Sequence, residues 1–258
     1  MSFKIKGSGG GFVNKGSGGG FVTKVIPALS ITADGLILYY DTTNLSSYPG
    51  SGTSITDLKG NSNGSMENSP AFTSNYLTLN GTNQSIKTNT DLSSFFTGSP
   101  KSEVTSIFIW VYPISAGNIV VEHGESTFAN TGWIDSNIEI SSGGAFSFGT
   151  WNGSNMNDKV VSSAQSFNNW YYVGWTYDGS TLTAYINGSS IGTVTYNRQA
   201  PYNYGNGLYY NIGLNCITNM GTDSYCNMRF GEFHVYNTSL TGGQVLNNFN
   251  ASKNKFGL

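Results

Sequence analysis

The sequence predicts an all-β protein, a sandwich or barrel of short antiparallel strands. Two features of composition and one pattern predict it. Gly (34), Ser (34), Asn (30) and Thr (25) make up 123 of the 258 residues, and turns are rich in such types. Charged residues are 10% of the chain, against roughly 25% in an ordinary soluble domain. Strong helix formers are scarce, whereas aromatics reach 14%, with 16 Tyr and 15 Phe. Aromatic and β-branched side chains suit a pleated, half-buried surface. The pattern begins after Pro27, where short apolar runs alternate with turn residues. Helical bundles, coiled coils and ordinary α/β enzymes are thereby excluded. Disorder of the whole chain is excluded too, because the aromatics supply a core.

An arm comes first. Residues 1–24 carry Lys4, Lys6, Lys15 and Lys24 and no acid, a charge of +4, while the remainder holds 8 basic and 14 acidic residues, a charge of −6. Four spread lysines do not make a nucleic-acid patch. The arm holds a repeat: Lys6-Gly7-Ser8-Gly9-Gly10-Gly11-Phe12-Val13 returns as Lys15-Gly16-Ser17-Gly18-Gly19-Gly20-Phe21-Val22, a period of nine. Two copies are too few for a solenoid. The segment reads either as a duplicated linker or as an arm with apolar anchors. In the second reading Phe3, Phe12, Val13, Phe21 and Val22 enter shallow pockets on a partner, and Lys6 and Lys15 meet an acidic surface. The glycines then let the arm backbone approach another chain closely. Neither copy cradles phosphate, because Phe-Val stands where a P-loop needs Lys-Ser/Thr and a Rossmann turn needs Gly. The boundaries are therefore an arm over 1–27 and one large domain over 28–258.

Strands are expected over 36–41, 76–79, 103–112, 118–122, 134–140, 145–150, 159–163, 170–177, 181–186, 191–195, 208–214 and 228–236. Asp178-Gly179 and Asn187-Gly188 are hairpin signals, since such pairs accept positive φ. They join 170–177, 181–186 and 191–195 into a meander. Val173, Trp175 and Tyr177 share one face of their strand, because side chains alternate. One helix is expected near the end, capped by Thr241, with Val245, Leu246 and Phe249 on one face. No run approaches about 18 apolar residues, so no membrane span is expected. Met1 to Gly11 has no apolar stretch of a signal peptide, so synthesis in the cytoplasm is expected. Cys216 and Cys226 read equally as a hairpin disulfide or as two buried thiols.

Several segments together carry a family resemblance. They are Gly35-Leu-Ile-Leu-Tyr-Tyr-Asp41, Thr56-Asp-Leu-Lys-Gly-Asn61, Leu79-Asn-Gly-Thr-Asn83, Ser106-Ile-Phe-Ile-Trp-Val-Tyr-Pro113, Trp170-Tyr-Tyr-Val-Gly-Trp-Thr-Tyr-Asp-Gly179, Leu182-Thr-Ala-Tyr-Ile-Asn-Gly188 and Phe230-Gly-Glu-Phe-His-Val-Tyr236. The chain resembles the laminin-G-like domains of the concanavalin A-like lectin/glucanase superfamily over about residues 31–258. Its Asn-rich ending with a final Phe-Gly-Leu is similar to such domains in virion proteins of tailed phages and large aquatic viruses. The resemblance implies a jelly roll of two curved antiparallel sheets. It also implies a structural virion protein, a capsid decoration or tail-surface protein. Residues 1–24 would then meet other virion proteins, many copies would act together, and the protein would reside in the virion. The fold also serves lectins, so a glycan-binding module or adhesin is the rival reading.

Catalytic and metal signals are weak. Glucanases of this fold need carboxylates at alternating positions of one strand, but Trp133 stands at the nucleophile position of Trp133-Ile134-Asp135-Ser136-Asn137-Ile138-Glu139. No enzyme is expected. Glu122-His123-Gly124-Glu125 reads as a solvated loop at a strand end. Asp57, Asp91, Asp135, Asp158 and Asp223 are isolated; a structural calcium would have no obvious ligand set, and no other cofactor is expected. Glycan sites stack a sugar ring on an aromatic and bracket it with Asn and Gly. Two loops have that composition, Trp151-Asn152-Gly153-Ser154-Asn155 and Tyr202-Asn203-Tyr204-Gly205-Asn206. Trp151, Asn152, Tyr202 and Tyr204 are therefore the candidate glycan contacts.

Overall fold

The computed structural model describes residues 29–126, 134–154, 159–195, 197–215 and 224–258. In the arm it describes only the backbone pairing of Asn14–Lys15 with Phe21–Val22. Two antiparallel eight-stranded sheets face each other. The first runs Ser189–Thr195, Thr181–Ile186, Tyr171–Tyr177, Thr105–Pro113, Asn227–Tyr236, Tyr76–Asn80 and Ala71–Thr73. Its eighth strand, Leu36–Asp41, also pairs with Asn227–Tyr236. One edge of that ten-residue strand serves two neighbours, Tyr76–Asn80 along residues 227–230 and Leu36–Asp41 along residues 232–236. The second sheet runs Val160–Ala164, Ala145–Phe148, Ile134–Ile140, Gly117–His123, Tyr209–Ile212, Ile86–Thr88, Gly64–Met66 and Ser54–Ile55. This is the sandwich that the sequence predicts.

The main core lies between the sheets. Val173, Trp175 and Tyr177 point into it and are at most 1% exposed. From the second sheet come Ile119, Val120, Ile138, Phe146, Phe148, Tyr210 and Ile212. Burial of such side chains stabilises by roughly 1.5–3 kcal/mol each, which lets the fold stand on few ion pairs.

The meander forms as expected, but its turns differ. Asn187 (φ 50°) and Gly188 (φ 80°) both take the left-handed region that a two-residue hairpin needs. Asp178 does not; only Gly179 has positive φ there. Asp178 instead accepts the N–H groups of Ser180 and Thr181 on its carboxylate. Several short strands were not expected, among them Ser54–Ile55, Gly64–Met66, Ala71–Thr73, Ile86–Thr88 and Ser224–Tyr225. The expected 208–214 strand breaks at Gly213, whose φ is +84°.

The outer face of the first sheet carries a second core of Phe108, Trp110, Tyr172, Tyr236 and Val245. Helix α1 (Gly242–Ser252) covers it. Thr241 caps α1 with a full capping box: its hydroxyl accepts the Gln244 N–H, and Gln244 Oε1 accepts the Thr241 N–H. Val245 is fully buried and Phe249 stacks on Trp110. Leu246 departs from the expected face and is 45% exposed, resting over Gly188. The chain enters beside α1, where Asn248 Oδ1 accepts the Thr32 N–H and Asn247 Nδ2 donates to the Ser30 carbonyl.

A polar clip fastens the tail. Lys255 Nζ donates to Asp41 Oδ2 at 2.8 Å and to Glu232 Oε1. Asp41 and Glu232 are register partners on adjacent strands, and their side chains are 4% and 0% exposed. Ser252 donates to the other Glu232 oxygen at 2.7 Å. Burial alone would raise the Asp41 carboxyl, but Lys255 outweighs it and holds the group below the usual aspartate range. Burial likewise lowers Lys255, while Glu232 and Asp41 outweigh it and raise the ammonium.

Cys226 is a buried free thiol that burial pushes up to about 12. Cys216 lies outside the described residues. Among the described residues no helix is long and apolar enough to cross a membrane.

Candidate functional site

The loop at 151–154 touches residue 199, which lies three positions before the second Asn- and Tyr-rich loop at 202–206. Gln199 N–H donates to the Trp151 carbonyl at 2.9 Å. Gly153 has a φ of +90°, a left-handed conformation that favours glycine, and its Cα lies against the Gln199 side-chain amide. Trp151 is half-buried, and its N–H is held by Asp135 Oδ2 at 3.1 Å. Asn152 is half-buried and its Oδ1 accepts the Ser154 N–H. Tyr204 is 52% exposed on a 3-10 turn, Pro201–Tyr204.

Residues beneath hold this rim in place. Arg198 runs into the inter-sheet core, and its Nη2 donates to both carboxylate oxygens of Glu122, at 2.7 and 2.6 Å. The two side chains are 1% and 0% exposed. Glu122 follows Val120 on the inward face of Gly117–His123, so it is not in a solvated loop as its sequence suggests. His123 is equally buried. The strand simply runs further than the apolar run, because a distant cation neutralises Glu122. Burial raises the Glu122 carboxyl while the guanidinium pulls it down. Burial also works against the Arg198 charge, but Glu122 outweighs it and raises that pKa. An arginine stays protonated in any case.

Further along the same loop, Ala200 N–H and Asn203 Nδ2 both donate to Glu103 Oε1. Asn203 Oδ1 accepts the Lys101 N–H at 2.9 Å. Tyr202 corrects an expectation: it is 7% exposed and supports the loop instead of contacting a ligand. Its ring stacks on Phe96 at 5.0 Å and its hydroxyl donates to the Ser102 carbonyl. Burial pushes that hydroxyl's pKa up. A rim tied at this many points is preorganised, which lowers the entropy lost on binding a ligand.

Residues 80–246 match the laminin G family described as the concanavalin A-like lectin/glucanases superfamily. The chain belongs to this superfamily. Its fold is similar to the binding domain of botulinum neurotoxin DC solved in complex with SialylT, with TM-score 0.61 and 16% identity. That match covers 84% of this chain and 52% of the toxin domain. It is also similar to Trypanosoma rangeli sialidase solved in complex with sialic acid, with TM-score 0.60, 12% identity, and 90% and 36% coverage. The chain thus spans about half the length of the first and about a third of the second. No curated protein sequence matches it.

Two carboxylates tied to these residues are buried and already paired. Glu122 and Asp135 are 0% and 1% exposed, the first on Arg198 and the second on the Trp151 amide. Trp133 lies outside the described residues. Among the described residues no three His, Cys, Asp or Glu side chains gather as metal ligands. Of the arm anchors, Phe3, Lys6, Phe12 and Val13 lie outside the described residues. Lys15, Phe21 and Val22 are described only as strand backbone. Sequence reasoning missed Gln199, Arg198 and Glu103. Only the Asn- and Tyr-rich composition hinted at this loop.

Proposed function

We propose that the protein is a glycan-binding module that engages saccharides at the rim formed by Trp151, Asn152, Gln199 and Tyr204, without catalysis. The observation that carries this reading is the contact of the 151–153 loop with Gln199. An aromatic residue beside side-chain amides is the combination a sugar ring needs, and this contact supports that reading. Membership of a lectin/glucanase superfamily supports it, as does likeness in fold to domains solved with SialylT and sialic acid. A glycan array on the full chain tests it. Trp151→Ala is expected to weaken the best saccharide by about 2 kcal/mol or more, roughly thirtyfold. If no saccharide binds the wild type, the reading is wrong; if Trp151→Ala binds as well as wild type, the rim is not the site.

A second element of the proposal concerns attachment. The repeated Phe-Val units and the hairpin pairing in the arm support its role as an anchor to a larger assembly, of which a virion surface is the example suggested by sequence. Deleting residues 1–27 is expected to abolish co-sedimentation with particles while leaving glycan binding intact. Full incorporation of the truncated chain would sink the anchoring idea.

A further inference from the structure

The chain has two arginines, and they are held in opposite ways. Arg198 is buried on a carboxylate. Arg229 lies on the outer face of the first sheet, next to the part that the tail covers, where Phe256 packs 4.6 Å from Trp170. It pairs across the sheet with Tyr112 on one side and Thr78 on the other. Its guanidinium carbon sits 4.3 Å from the Tyr112 ring centroid and 4.7 Å from that of Tyr76. Trp170 completes the cluster, 5.6 Å from Tyr112 and 5.9 Å from Tyr76. All four side chains are partly exposed. Among the described residues, no carboxylate lies within ion-pair distance of Arg229, and its N–H groups donate to no acceptor.

A guanidinium held against ring faces keeps its in-plane N–H edge for an acceptor. That edge is a fork that matches a carboxylate in two parallel hydrogen bonds. The stacked rings restrict Arg229 before a ligand arrives, so little side-chain freedom remains to be lost. Beside it, Trp170 and the two tyrosines offer flat faces and hydroxyls, which suit a pyranose ring. One cation on a body of charge −6 does not suit a polyanion such as nucleic acid. It suits a ligand with a single acidic group.

We propose that Arg229, Tyr76, Tyr112 and Trp170 form a second binding site that takes an acidic saccharide, its carboxylate on Arg229 and its ring against Trp170. This site is on the outer face of the first sheet and stands independently of the rim. The test titrates 3′-sialyllactose and lactose, which differ by one acidic sugar, into the full chain with ligand-observed NMR. Wild type is expected to bind 3′-sialyllactose at least about tenfold more tightly than lactose, the scale of one charge-assisted contact. Arg229→Gln is expected to erase that preference with an unchanged melting temperature, and Trp151→Ala to leave it intact. Equal binding of both sugars by wild type, binding of neither, or a preference that survives Arg229→Gln would overturn the proposal. So would loss of the preference in Trp151→Ala, which would place acid recognition at the rim. Equal response to sodium acetate would reduce the site to a carboxylate clamp with no sugar specificity and would also overturn it.

Discussion

Replacing Arg198 with Met is expected to destabilise the protein by about 3–5 kcal/mol, because it leaves Glu122 as an unpaired buried carboxylate. For a chain of this size the melting temperature should fall by on the order of 10 °C. The loss has three sources. Glu122 has no exposure, so solvent cannot take the guanidinium's place. The backbone of residue 198 is tied to the Tyr177 hydroxyl, so the loop cannot simply swing out to solvate the site. The guanidinium also sits 5.8 Å from the Trp175 ring, and that contact goes too. The double variant Arg198→Met/Glu122→Leu separates charge from packing. Apolar replacement of a buried pair is often neutral or stabilising, so the double variant should recover most of the lost stability. A single variant melting within about 2 °C of wild type would show that the pair is not buried as described.

Replacing Lys255 with Met is expected to destabilise by about 3 kcal/mol at neutral pH and to reverse the acid response of stability. In the wild type the Asp41 carboxyl is held below its unfolded value. Such a group stabilises the fold above the unfolded value, and the contribution vanishes as pH falls through the folded one. Lys255, raised in the fold, contributes below the ordinary lysine range and loses its contribution only at strongly alkaline pH. The wild type should therefore lose stability as pH drops below about 4. Without Lys255, the hydrogen bonds that the Thr43 N–H and hydroxyl donate are left to oppose burial, the largest effect, and the Asp41 carboxyl, which faces Glu232 across the sheet, is expected to rise. Protonation then relieves the variant, whose stability should rise as pH falls from neutral toward the carboxylate range. Thermal melts of both proteins from neutral to acid pH check this. Parallel curves would mean that Lys255 does not clip the tail to the sheet.

Much of the first sheet was legible because its strands are long. Val173, Trp175 and Tyr177 alternate with polar or small residues over enough positions to define a face, and Asn187-Gly188 marks its turn without help from distant contacts. Gly174 shows what such a face costs elsewhere: a Cβ there would meet the Ile107 carbonyl at 2.1 Å and the Phe108 ring at 2.4 Å. The reason for the glycine is the neighbouring strand's Ile107 carbonyl and the Phe108 ring beside it. Strands of two or three residues, such as Ser54–Ile55 and Gly64–Met66, contain no period to detect. They exist only because neighbouring strands supply their hydrogen bonds.

The site divides in the same way. Trp151 and Tyr204 are candidates from loop composition, and Tyr202 has that same composition. Local sequence cannot distinguish Tyr204 from Tyr202, whose ring is claimed by Phe96 more than 100 residues away in the chain. Glu122 reads as a solvent-facing acid for the same reason, since its partner is 76 positions away.

By itself the sequence determined the class of fold, the meander and the capped helix. Each of these is specified by residues close together: alternation, turn pairs and a capping box. Only the tertiary structure decided which aromatics face solvent and which charges are neutralised. It also decided which loops share an edge. Those outcomes depend on groups brought together from distant parts of the chain, because burial and pairing belong to the packed sheets and not to any one segment.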